Sequence, residues 1–133
     1  MKYFTIDELT RSATAVAHGI DNTPTPEAKA RMTALIDNLL DPVREVWGKP
    51  ITVNSGYRSA ALNKAVGGVS TSQHQSGEAA DITTGSKEGN RRLFELIRDG
   101  GFDFDQLIDE KDFSWVHVSY TTARKNRRQV LKL

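Results

Sequence analysis

The stretch FDQLIDEKDFSWVHVSYT, residues 104–121, holds two runs of strand-forming residues, FDQLIDE and SWVHVSYT, separated by the turn-like KDF. Two such runs so close together predict an antiparallel hairpin. Side chains in a strand alternate between faces, so Trp115, His117 and Ser119 share one face and Val116, Val118 and Tyr120 the other. The second set is apolar and belongs against a core, which leaves His117 on the polar side of a half-buried strand. The turn decides which carboxylate joins it. A loop of Lys111–Ser114 pairs Glu110 with Trp115 and puts Glu110 on the face of His117, whereas a loop of Lys111–Phe113 puts Asp109 there.

Working outward, AADITT (residues 79–84) reads as a short strand with Ala79, Asp81 and Thr83 on one face and Ala80 and Ile82 on the other. STSQHQSGEAAD (residues 70–81) leads into it, and Gly77 permits a sharp turn that folds His74 back over the strand bearing Asp81. ITVNSGYRS (residues 51–59) is a strand running into a loop, and AALNKAVGG (residues 60–68) a short helix ended by its glycine pair. Residues 25–47 read as a long helix with Thr25 as cap, Pro26 in the first turn and Ala30, Leu35, Leu39, Leu40 and Val43 on its buried face; Pro42 kinks or divides it. Ser86 caps a second long helix that repeats apolar residues at Leu93, Leu96 and Ile97. A short helix covers LTRSATAVAHG (residues 9–19), with His18 in its last turn, and RRQVLKL (residues 127–133) adds an edge strand. The expected fold is α+β: one domain over residues 1–133, with helices packed on a small antiparallel sheet.

Composition limits the chemistry. The 133 residues are 38% hydrophobic and 26% charged with a net charge of +1, so no global field recruits nucleic acid or an anionic membrane. Arg124, Lys125, Arg127, Arg128 and Lys132 form a locally basic end, read as a solvated tail or edge strand. There is no cysteine, so a transition metal must be held by imidazole and carboxylate, and only His18, His74 and His117 are available. His74, Asp81 and His117 on neighbouring elements make a three-ligand set. Zinc held by three protein ligands with a fourth position open is the arrangement in which water becomes a nucleophile near neutral pH. The same spacing also suits a polar loop whose histidine is satisfied by backbone carbonyls.

Ser72, His74, Gly77, Ala79 and Asp81 match the pattern S-x-H-x-x-G-x-A-x-D. With VNSGYRSAALNKAVGG before it and FDQLIDEKDFSWVHVSY after it, this resembles the zinc D-Ala-D-Ala carboxypeptidases and L-alanyl-D-glutamate endopeptidases that cut peptidoglycan stem peptides. The likeness covers roughly Ile51 to Tyr120. The resemblance implies a hedgehog/DD-peptidase-like fold, one zinc ion on His74, Asp81 and His117, and Arg58 binding the substrate and stabilising the developing oxyanion. It further implies that Ser72 holds the substrate or the loop and that Gln73 lines the substrate pocket.

One position departs from the family. Its best-known members carry Glu or Asp three residues before the last histidine, where this chain has Ser114, and serine cannot take a proton from water at neutral pH. The expected base is Glu110, because QLIDE followed by WVHVSY resembles a subgroup with glutamate at this place; Asp112 is the runner-up and Asp109 the third candidate. The expected function is peptide hydrolysis on peptidoglycan, as in an endolysin. The alternative is a non-catalytic zinc-containing cell-wall or protein-binding module, as in hedgehog signalling domains of the same fold. The expected partner is a peptidoglycan stem peptide, met by a monomer, with no nucleic acid and no membrane. MKYFTIDELTRSATA has no apolar signal core, so the expected route is synthesis in the cytoplasm and holin-type release to the wall.

Overall fold

The protein is described over residues 1–133 by a computed structural model. Its chain opens with α1 (Ile6–Thr10) and α2 (Ala13–Ala17), two short helices where the sequence suggests one. The break has a local cause: Arg11 is extended, and the Ser12 side chain accepts the Ala15 N–H, which starts a new helix. His18 caps the end of α2, as expected, and takes no part in any histidine–carboxylate cluster.

Next come α3 (Pro26–Leu35), a π-helical segment (Ile36–Leu40) and α4 (Asp41–Trp47). Thr25 caps α3 by accepting the Ala28 N–H. Pro42 has no N–H, and its ring would strike the carbonyl four residues back; widening the preceding turn, with Asp41 N–H bonded to Ile36 O, carries the helix past it. The buried face is Ala28, Met32, Leu35, Ile36, Leu39, Leu40 and Val43. Ala30, expected on that face, is exposed, because the α-helical repeat running back from Leu35 reaches Met32 and Ala28.

The remaining elements are β1 (Thr52–Ser55), α5 (Ala60–Ala65), β2 (Ala79–Thr83), α6 (Lys87–Asp99), β3 (Gln106–Glu110), β4 (Trp115–Ser119) and β5 (Gln129–Lys132). The sheet order is β1-β2-β4-β3-β5. Three pairings are antiparallel as expected, while the edge strand β5 runs parallel to β3, so the sheet is mixed within an α+β fold. Ala80, Ile82, Leu107, Val116 and Val118 point to one side, where they join Leu35, Leu39, Leu93 and Ile97 in a cluster of 20 buried residues. β2 is buried on both faces, because the loop before it covers the side away from these helices. That covered side carries the polar residues.

The hairpin turn is Lys111–Ser114, with Glu110 opposite Trp115. Lys111, Asp112 and Phe113 all have positive φ, a conformation costly for three non-glycine residues in a row. Asp109 Oδ1 accepts the Phe113 N–H at 2.6 Å and Ser114 Oγ donates to Lys111 O at 2.7 Å, so side chains hold the turn in place.

Candidate functional site

Asp81 on β2 and His117 on β4 are directly opposed partners in the sheet. His117 Nδ1 lies 2.9 Å from Asp81 Oδ1, and His74, brought over from the preceding loop, places Nε2 3.3 Å from the same oxygen. The two imidazoles meet edge to face with centroids 5.2 Å apart. One potential ligand atom from each of the three residues lies within 4.8 Å of the others. His74 and Asp81 are only 3% and 7% exposed.

The second ring nitrogen of His74 fixes its chemistry. Nδ1 sits 2.7 Å from Gly56 O, and a carbonyl can only accept, so Nδ1 carries the proton and Nε2 of neutral His74 presents a lone pair. That lone pair is aimed at a carboxylate oxygen. Two acceptors at 3.3 Å repel unless a proton or a cation lies between them, and the donor set of two imidazoles and a carboxylate is one that divalent zinc accepts.

Glycines bring the pieces close enough. Gly56 packs so tightly on α1 that a Cβ would stand 2.3 Å from Leu9 O, which puts its carbonyl under His74. Gly77, with φ +82°, turns the loop where a Cβ would stand 2.7 Å from Ala28 O. The turn at Gly77 is the one the sequence suggests. Ser72 Oγ accepts the His74 N–H at 3.2 Å, and Arg58 N–H donates to His74 O at 2.9 Å. Burial alone would raise the pKa of Asp81, but when the ring nitrogens of His117 and His74 that face it carry protons, their hydrogen bonds and charge hold it well below the usual carboxylate range.

Arg58 borders the cluster. Its Nη2 is 3.4 Å from Asp81 Oδ2, Nε donates to Ser55 Oγ at 3.0 Å and Nη1 to Asn63 Oδ1 at 3.3 Å. A bulge between Val53 and Ser55 re-aims β1 so that Ser55 can do this. Burial pulls the guanidinium pKa down, and the neighbouring Asp81 partly offsets it. Asn63 also donates to Val69 O at 2.9 Å, and Asn22 spans Thr10 O, Tyr57 O and Ser59 N–H, tying the Arg58 loop to the N-terminal helices. Neither asparagine is singled out by the sequence reading. An Asn inside the otherwise apolar and basic AALNKAV helix is the only signal for Asn63.

The three candidate carboxylates separate cleanly. Glu110 shares the face of Trp115 and His117, and burial raises its pKa, with His117 opposing and Asp81 reinforcing the shift. Asp109 lies on the opposite face, 2% exposed, occupied by the turn. Asp112 pairs with Lys87 Nζ at 2.5 Å at the start of α6, outside the histidine cluster. Ser72 and Gln73 line a cavity of about 460 Å³ together with His117.

The family model described as Peptidase M15 matches residues 2–119. The zinc D-Ala-D-Ala carboxypeptidase of Streptomyces albus G is 40% identical over 100 residues, which is 74% of this chain and 38% of that protein. The chain thus spans well under half the length of that relative.

Proposed function

Because the chain belongs to the peptidase M15 family, we propose that it is a zinc peptidase hydrolysing bonds of peptidoglycan stem peptides, with His74, Asp81 and His117 as ligands of one zinc ion. The observation that carries the reading is the His74 Nε2 lone pair facing Asp81 Oδ1 at 3.3 Å, with His117 Nδ1 completing the set. When bound, zinc supplies a Lewis acid that lowers the pKa of water and polarises the scissile carbonyl.

The chain's own residues do the rest. Glu110, on the same sheet face as His117, takes the proton of the attacking water and hands it to the leaving amine. Its raised pKa brings it nearer the working pH, which suits a group that must both accept and release a proton. Arg58 is held from three directions by Ser55, Asn63 and Asp81, so its guanidinium receives the developing oxyanion without reorganising. Ser72 and Gln73 contact the substrate from the cavity wall. No covalent bond between enzyme and peptide is required.

The test is digestion of purified peptidoglycan followed by mass spectrometry of the muropeptides. Activity lost on chelation and restored by zinc supports the reading, and the fragments identify the bond as D-Ala-D-Ala or L-Ala-D-Glu. A zinc-loaded but inert protein would instead support a binding module, the reading that Ser114 at the family's usual base position favours. No helix is long and apolar enough to cross a membrane. Holin-type release is the proposed route to the wall; lysis on expression without a holin would refute it.

A further inference from the structure

The basic end of the chain does not lie free. Asp105, whose side chain is fully buried, receives Arg124 Nη1 and Nη2 at 2.7 and 3.0 Å and Arg127 Nε and Nη2 at 3.1 and 2.8 Å. It also takes the Arg127 N–H at 3.0 Å and Gln73 Nε2 at 3.0 Å. Both guanidiniums are nearly half exposed and line the same cavity as Ser72, Gln73 and His117. One carboxylate against two guanidiniums leaves a net positive charge at that wall. Glu78, the other carboxylate near Arg124, accepts the Ser76 hydroxyl and is not part of this cavity. With its amide nitrogen committed to Asp105, Gln73 keeps Oε1 buried and without a donor. The N–H groups of the two guanidiniums that Asp105 does not take face the cavity, where an anion would meet them.

We propose that Arg124 and Arg127, set by Asp105, form a carboxylate-binding subsite in the cavity beside His117, which selects peptide substrates carrying a free carboxylate near the scissile bond. The proposal rests on the peptidase reading above for the word substrate, while the binding itself does not. Guanidiniums already locked by a buried carboxylate spend little entropy in gripping a second one, and their planar forks suit its geometry.

The experiment compares the stem pentapeptide L-Ala-γ-D-Glu-L-Lys-D-Ala-D-Ala with the same peptide amidated at every carboxylate, using the zinc-loaded protein. Steady-state cleavage gives kcat and KM, and NMR shifts of the arginine Nε–H signals report binding without needing turnover. Amidation should raise KM by about tenfold or more, the worth of a hydrogen-bonded charge pair, with kcat within about twofold. Arg124→Gln, which leaves Arg127 on Asp105, should erase most of the acid-over-amide preference, and Arg124→Lys should keep part of it. Equal KM for acid and amide in the wild type, or an unchanged preference in Arg124→Gln, overturns the subsite and leaves the peptidase reading standing. If neither peptide is cut but the acid alone shifts the arginine signals, the peptidase reading falls and the subsite stands. No cleavage and no shift refutes both.

Discussion

Glu110 and Asp112 are two residues apart in the hairpin, yet their surroundings differ in kind. Glu110 is half-buried on the face of His117, where desolvation raises its pKa; Asp112 is exposed at the turn, where the hydrogen bond and charge of Lys87 lower it. Environments that push two carboxylates apart in this way are the physical ground for the roles proposed for them. Glu110→Gln is expected to retain stoichiometric zinc by elemental analysis while losing about 10²–10⁴ in kcat, the usual worth of a general base. Asp112→Asn should stay within a few-fold of wild type; the opposite ranking would move the base to the turn. The pH profile carries the same information. A base must be deprotonated to act, so a raised pKa means activity falls away on acidification earlier than an ordinary glutamate would allow. The acid limb of kcat/KM should therefore lie above the ordinary value of 4.5, and a limb at or below it would count against Glu110.

At the level of elements, the loop over residues 70–77 turns at one backbone position that admits no Cβ. Gly77→Ala forces an L-residue to φ +82° and drives a Cβ to 2.7 Å from Ala28 O on α3. It should cost about 1–3 kcal/mol in denaturant unfolding and weaken zinc binding, because His74 rides on this loop; a change in midpoint too small to measure would mean that the loop simply shifts. The glycine was readable from the sequence, as were the caps at Thr25 and Ser86 and the face shared by Asp81 and His117, since each depends on residues close in the chain or on strand alternation. The four-residue turn was readable only as one of two registers. The direction of β5 was not legible, because it is set by Asp105 gripping Arg124 and Arg127 from about twenty residues away. The π segment was hidden for a similar reason: a proline announces trouble in a helix but not which turn widens to absorb it.

Across the whole molecule, one sheet keeps its apolar side for the helices and its polar side for the three proposed zinc ligands, an arrangement that would link metal affinity to folding. Any ion that binds only the folded arrangement stabilises it by mass action, about 2.7 kcal/mol at a free concentration one hundred times Kd. Chelation is expected to lower Tm by several degrees, and adding zinc back in excess should restore it; a Tm indifferent to zinc would show that the three ligands do not bind it in the folded protein. The connection between Asp81 and His117 spans 36 residues, including all of α6, and His74 joins only when its loop closes on both strands. Such a constellation is expected to be complete late in folding, because its contacts are far apart in the chain. In kinetic terms, zinc should leave the refolding rate nearly unchanged and slow unfolding instead, which lengthens the lifetime of the native state.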